Sequence, residues 1–236
     1  MSIYLLNLLS THVILLSNKG FMMEKKGLRE RQKETRRMRI LEISRKKFQE
    51  AGYSNITIED IAAESEVSAV TVYKYFGSKA GLLLALVGES DLILIAELDE
   101  CVKSQHKSLV DGVLDFGRIM RRHAMTYLQK ATWREVVSAS ISEGSREFGK
   151  TYSELDGVLI SKMHAMIVNL QTRELVAKNI DVLALADCMF SLQNIRFFQF
   201  IADDSVEMEA ADEKFRLDLE VLQLAFGHWE LTESIS

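Results

Sequence analysis

None of the 236 residues is proline. At average usage a chain of this length would carry about a dozen, and proline ends helices and pins turns. Its absence, with an abundance of Leu, Ala, Glu, Ile and Lys, points to long helices joined by short polar turns. No segment sustains strict apolar–polar alternation, so the pattern of a half-buried strand is missing as well. The expected fold class is all-α, with about nine to ten helices.

The net charge of −5 would by itself argue against a polyanionic partner, but the charge is unevenly placed. Residues 1–88 hold 14 Lys and Arg against 9 Asp and Glu, and residues 24–50 alone hold 11 against 5. The remaining 148 residues hold 15 against 25. A basic N-terminal third on an acidic body implies one polyanion-binding module attached to a body that does not bind polyanions.

Cys101 and Cys188 are the only cysteines and lie far apart, without a second Cys or a His at ligand spacing. Two small buried hydrophobes in a reducing cytoplasm are expected, with no disulfide, metal or cofactor. The five histidines, at 12, 106, 123, 164 and 228, have no metal-pair spacing.

Residues 1–23 form an apolar N-terminal extension. Ile3–Leu16 is interrupted by Asn7, Ser10, Thr11 and His12 and is too short to span a bilayer. It lacks the charged start and small-residue end of a secretory signal. The leading reading is an extension upstream of the folded protein, ahead of Met22 and Met23. The rival is an apolar helix that packs on the body or lies on a membrane surface. Stable membrane association is not expected.

Residues 24–35 read as a basic, solvated arm. From Met38, Ile40, Leu41, Ser44 and Phe48 recur at helical spacing, with Gly52 as the stop. Arg36, Arg37, Arg39, Arg45, Lys46 and Lys47 occupy the other faces. Thr57 and Asp60 then form a capping signal, Ile58, Ile61 and Ala62 supply an apolar face, and the short helix ends near Ser65. Ser68 caps a second short helix, Ala69–Tyr75, anchored inward by Val72 and Phe76. Gly77 stops it, and Ser78 caps the next helix. Two short helices about three residues apart have the spacing of a helix-turn-helix.

A helix that enters the major groove must expose short or polar side chains on one side and hide the other in its own domain. Ala69, Thr71, Tyr73 and Lys74 are available outward. Thr57, Ser68 and Ser78 mark helix N-termini, where backbone N–H groups favour a phosphate. Tyr75 has the reach for a phosphate oxygen, and Lys79 adds a point charge.

The run Ile40-Leu41, Phe48, Ala51-Gly52-Tyr53, Thr57-Ile58-Glu59-Asp60-Ile61-Ala62, Val67-Ser68, Thr71-Val72-Tyr73-Lys74-Tyr75-Phe76-Gly77-Ser78-Lys79 and Leu82-Leu83 resembles the N-terminal domain of the tetracycline-repressor (TetR/AcrR) family. The resemblance covers about sixty residues, from roughly Arg36 to Ile95, and places the DNA-binding domain at 36–95. It implies a homodimer on a near-palindromic operator, usually a repressor released by a small molecule. By position it assigns recognition contacts to Thr71, Tyr73 and Lys74, phosphate contacts to Tyr75 and Lys79, and a phosphate cap to Thr57. Two positions depart from the family pattern. Glu66 stands where glycine is usual, so either the turn carries left-handed strain or another turn replaces it. Val70 stands where a small residue is usual.

Residues 96–236 are expected to form an effector-binding and dimerisation domain. Expected helices are Glu89–Lys107, Leu109–Lys130, Trp133–Gly144, Tyr152–Arg173, Ile180–Ala202 and Glu207–Trp229. A small apolar or aromatic effector would fit among Phe116, Met120, His123, Tyr127, Trp133, Met163 and Phe190. The last two helices carry more apolar surface than one core can cover. Leu192, Ile195, Phe198, Phe215, Leu219, Leu222 and Phe226 are the expected dimer face.

An enzyme is not expected, because the sequence has no Gly-rich phosphate loop, HExxH, CxxC or nucleophile elbow. The remaining alternatives are a DNA-binding regulator of the same fold that works without an effector, or one that activates.

Overall fold

The computed structural model describes residues 27–143 and 147–226, and its regular structure there is entirely helical. Among the described residues the order is α1 (Leu28–Ala51), α2 (Ile58–Glu64), α3 (Ala69–Phe76), α4 (Lys79–Lys103), α5 (Leu109–Tyr127), α6 (Lys130–Glu143), α7 (Glu147–Thr172), α8 (Val182–Ala202) and α9 (Met208–Phe226). None of these helices is long and apolar enough to cross a membrane. The apolar extension 1–23 and the start of the basic arm lie outside the described residues.

Helix α1 begins ten residues before Met38, so most of the expected arm is helical. Its first turns are almost wholly exposed. Arg, Glu, Gln and Lys favour helix without needing burial, and the packed second half, through Ile40, Leu41, Ser44 and Phe48, supplies the nucleus. The Ser44 hydroxyl donates to the Ile40 carbonyl at 2.6 Å, which satisfies it inside the core.

The helix capped by Ser78 and the expected helix from Glu89 are one element, α4, of 25 residues. Gly88 interrupts nothing. A helical glycine costs only about 1 kcal/mol, and Leu82, Leu83, Leu86, Val87, Leu94 and Leu98 are buried on either side of it. The expected boundary near residue 95 therefore falls inside a continuous helix shared by the N-terminal lobe and the body.

Two apolar clusters hold the chain. One starts in the lobe, with Ile40, Leu41, Phe48, Ile61, Val72 and Leu83, and runs without a break into Ala124, Leu128, Trp133, Val136 and Phe197 of the body. The other fills the far end, around Leu98, Val113, Phe116, Met163, Met166, Phe190 and Phe215. Arg121 is fully buried, where Asp212 pairs with it at 2.5 Å and Gln193 accepts from it at 3.0 Å. That group ties α5 to α8 and α9.

Candidate nucleic-acid interface and adjoining cavity

The lobe is assembled from consecutive caps. At the start of α2, the Thr57 amide donates to the Asp60 carboxylate at 2.8 Å, and the Asp60 amide donates to the Thr57 hydroxyl at 3.1 Å. The Thr57 hydroxyl also donates to the Asp60 carboxylate, and that bond first, then the one from the Thr57 amide, holds the carboxyl below its ordinary range. At the start of α3 the Ser68 hydroxyl accepts from the Thr71 amide at 3.2 Å. At the start of α4 the Ser78 hydroxyl accepts from the Gly81 amide at 2.9 Å. Each cap adds about 1 kcal/mol, which matters most for α2 and α3, helices of 7 and 8 residues that are too short to persist alone.

Between α2 and α3 the chain turns at Glu66, whose φ is 55°. The Glu66 amide donates to the Ala63 carbonyl at 3.2 Å and the Val67 amide to the Ala62 carbonyl at 3.0 Å. This pair of bonds is a Schellman motif with glutamate at the position glycine normally takes. Of the two outcomes expected for this position, the chain takes left-handed strain, of roughly 1–2 kcal/mol.

The end of α3 is set by contact with α4. A Cβ on Gly81 would stand 2.0 Å from the Phe76 carbonyl oxygen, so only glycine lets α4 start so close to α3. Val72 is fully buried, and Val70 (76% exposed) and Tyr73 (46%) face outward. Lys74, in the last turn, is also exposed, and Ala69 and Thr71, in the first, are half-buried. Val70 was not among the residues expected to meet DNA, yet it is the most exposed apolar side chain of α3.

Several expected phosphate contacts already have partners within the chain. The Thr57 hydroxyl is engaged by Asp60. The Tyr75 hydroxyl donates to the Lys33 carbonyl at 3.3 Å. The Lys79 ammonium sits 4.2 Å above the Tyr53 ring, and partial burial lowers its pKa. On α1, Arg37 pairs with Glu89 at 2.7 Å, Arg39 with Glu66 at 2.9 Å and Lys47 with Glu64 at 2.7 Å. Part of the basic face of α1 is thus paired locally. The exposed pairs among these are worth only about 0–1 kcal/mol and yield readily to a phosphate.

These details belong to a known kind of lobe. Residues 40–86 match the sequence signature described as bacterial regulatory proteins, tetR family. The N-terminal domain is a tetR-family domain. The whole chain also has this family's fold. A TetR-family transcriptional regulator from Pectobacterium atrosepticum superposes with TM-score 0.65 at 22% identity, over 84% of this chain and 95% of the other. FadR of Thermus thermophilus, a TetR-family repressor in complex with lauroyl-CoA, gives 0.63 at 15% identity, over 85% and 98%. FadR of Bacillus subtilis, in complex with stearoyl-CoA, gives 0.58 at 14% identity, over 78% and 96%. No curated protein matches the chain in sequence. Residues 40–86 thus carry the tetR-family signature, and the chain as a whole shares the fold of these proteins.

Beside the tetR-family lobe lies a small cavity of about 50 Å³ among α4, α5, α6, α7 and α8. Of the seven side chains expected to line an effector site, Met120, His123 and Trp133 border this cavity, beside Tyr152, Asp156 and Phe197. Phe116, Met163 and Phe190 are instead packed in the second apolar cluster, and Tyr127 stands behind His123, ring centroids 4.6 Å apart. Trp133 donates to the Ala124 carbonyl at 2.9 Å and meets Phe197 edge to face. Asp156 carried no sequence signal. Burial raises its carboxyl pKa to about 6.

The side chains expected at a dimer face differ in exposure within the chain. Phe215 and Leu219 are buried in the chain's own core, and Leu192, Phe198 and Leu222 are half-buried against it. Ile195 is exposed, and on α9 the outward stripe is Leu217, Val221 and Leu224. The Phe226 side chain lies outside the described residues.

The cysteines also differ from expectation. Both are free, but Cys188 is exposed and only Cys101 is buried. Cys101 and His106, five residues apart across the end of α4, meet beside Asp115 of α5. Burial, and secondarily the Asp115 carboxylate, pushes the Cys101 thiol up to about 12.

Proposed function

We propose that this protein is a sequence-specific DNA-binding transcription regulator, a homodimer that represses from a near-palindromic operator and is released by a small-molecule effector. The observation that carries the DNA-binding reading is the division of α3: Val72 fixed in the core, and Val70, Tyr73 and Lys74 turned outward beside the half-buried Thr71. Ala69, Thr71, Tyr73 and Lys74 would read base edges. Thr57, Ser68 and Ser78 would present helix N-termini to phosphates. Tyr75 and Lys79 would exchange their internal partners for phosphate oxygens.

Dimerisation is proposed through α8 and α9, with Ile195, Leu217, Val221 and Leu224 at its centre, where the chain leaves apolar side chains uncovered. Two copies would set their α3 helices about 34–36 Å apart, one turn of DNA.

The effector would enter beside Met120, His123, Trp133 and Asp156. Its wall is mostly apolar with a few polar groups, as in small-molecule sites generally. The acyl-CoA ligands of the two FadR proteins support a small molecule as the effector class. A desolvated carboxylate at Asp156 favours an apolar or aromatic ligand that presents a hydrogen-bond donor or a cation to it. At about 50 Å³ the space is far below the roughly 300–1,000 Å³ of drug-sized sites, so binding requires side chains to move. That same small volume favours the second reading, a regulator of this fold that works without an effector.

A gel shift on the DNA upstream of its own coding sequence tests the first part. Specific binding that weakens steeply with salt is expected. Thermal-shift screening with apolar cations, acyl compounds and aromatics separates the two readings. Stabilisation by one class, with release from DNA, supports effector control, and silence across the panel favours the effector-free reading.

A further inference from the structure

At the far end of α4 from the DNA-binding lobe, three different ligand types converge. The Cys101 sulfur lies 3.6 Å from His106 Nε2 and 3.7 Å from an Asp115 carboxylate oxygen. Cys101 and His106 are 3% and 6% exposed. We propose that Cys101, His106 and Asp115 form a site for a thiophilic divalent cation of the zinc class, with a fourth position open to water or a small ligand.

The spacing carries this assignment. Tetrahedral zinc holds sulfur at about 2.3 Å and nitrogen or oxygen at about 2.0–2.1 Å, which places adjacent ligand atoms about 3.5 Å apart. The two sulfur-to-ligand distances already have that length, and all three ligand atoms lie within 4.8 Å of one another. The ligand set mixes thiolate, imidazole and carboxylate, which suits zinc and disfavours magnesium or calcium.

The surroundings supply the orienting groups a metal site needs. Asp111 stands 3.9 Å from His106 Nδ1 and is itself fixed by the Lys107 amide at 2.9 Å. A carboxylate behind a ligating histidine fixes the ring and its tautomer. Gly112 gives the ring room, since a Cβ there would meet it at 3.4 Å.

Without metal the same atoms satisfy one another. His106 Nε2 sits 2.9 Å from the Cys101 carbonyl, and the thiol donates to Asp115. Loading exchanges these bonds. The imidazole proton moves to Nδ1, facing Asp111, which frees Nε2 for the cation. The thiol proton leaves to solvent as the sulfur takes the metal, so one proton is released per ion. The clamp would join the last turn of α4, whose first turn lies in the DNA-binding lobe, to α5.

The test is titration of the full chain, stripped of metal and kept reduced, with Co²⁺ alone and then Zn²⁺ alone. The expected result is one equivalent per chain, with a sulfur-to-cobalt charge-transfer band and tetrahedral visible bands that Zn²⁺ erases. Cys101→Ser, at unchanged helix content, abolishes the charge-transfer band. Asp115→Asn, at a less buried position, loses the visible bands. Asp111→Asn, behind the histidine, weakens binding about 10–100-fold. No stoichiometric binding by the wild type, or a charge-transfer band that survives Cys101→Ser, overturns the proposal.

Discussion

His123, in the wall of the cavity, lies 4.6 Å centroid to centroid from Tyr127, which belongs as much to α1 as to the body. The Arg45 guanidinium sits 5.3 Å from the Tyr127 ring centroid, and Gln49 donates to the Tyr127 carbonyl at 3.0 Å. Gln129 completes the junction by donating to the Gln49 carbonyl at 2.7 Å. The cavity wall is thus joined through Tyr127 to α1, which packs into the N-terminal lobe.

That junction can be measured before any effector is known. A double-mutant cycle on Arg45→Ala and Tyr127→Leu, read by urea unfolding, is expected to give a coupling of about 0.5–1 kcal/mol. Additive losses would mean that the guanidinium and the ring do not communicate.

Glu66 tests the strain in the turn. Glu66→Gly removes the left-handed penalty, forfeits the exposed pair with Arg39, and loosens the unfolded chain. The expected balance is a gain of about 0.5–1 kcal/mol, seen as a higher urea midpoint at constant slope. A loss of stability would mean the glutamate earns its place by contacts.

Gly81 should be intolerant. Gly81→Ala puts a methyl 2.0 Å from the Phe76 carbonyl oxygen, forcing α3 and α4 apart at a cost of about 1–3 kcal/mol. Thermal unfolding and DNA affinity should both fall. Wild-type values for both would mean that the close approach is not needed.

The pH dependence has a definite sign at Asp156. Its carboxyl pKa is raised by burial from 3.8 to about 6, so between about pH 4 and 6 the folded state holds a proton the unfolded state has lost. This group's contribution to stability therefore falls as pH rises through that window and stays low above it. Asp156→Asn should stabilise the protein at pH 7 by about 1–2 kcal/mol and change little at pH 4. Equal effects at both values would remove desolvation as the cause.

What could be read from the sequence was local. The caps at Thr57, Ser68 and Ser78, the stop at Gly77 and the inward Val72 all depend on neighbours within four residues, and α2 and α3 stand where those signals put them. Packing decided the rest. A separate helix from Glu89 was expected, but burial on both sides of Gly88 carries α4 through without a break. Helix α9 has two apolar stripes, and only its seating against α5 determines that Phe215 and Leu219 face inward while Leu217, Val221 and Leu224 face out. Cys101 and His106 have no ligand spacing along the chain, because the end of α4 folds one onto the other. Asp156 gives no pattern at all, since its character comes from the apolar walls around it.

The most direct test of DNA binding through α3 is selection of bound fragments from genomic DNA, with the wild type and a Tyr73→Ala, Lys74→Ala variant compared at several salt concentrations. The prediction is enrichment of a near-palindromic site with half-sites one helical turn apart or a multiple of it, lost in the variant while the fold persists. Absence of any enriched sequence, or an unchanged site in the variant, would contradict it.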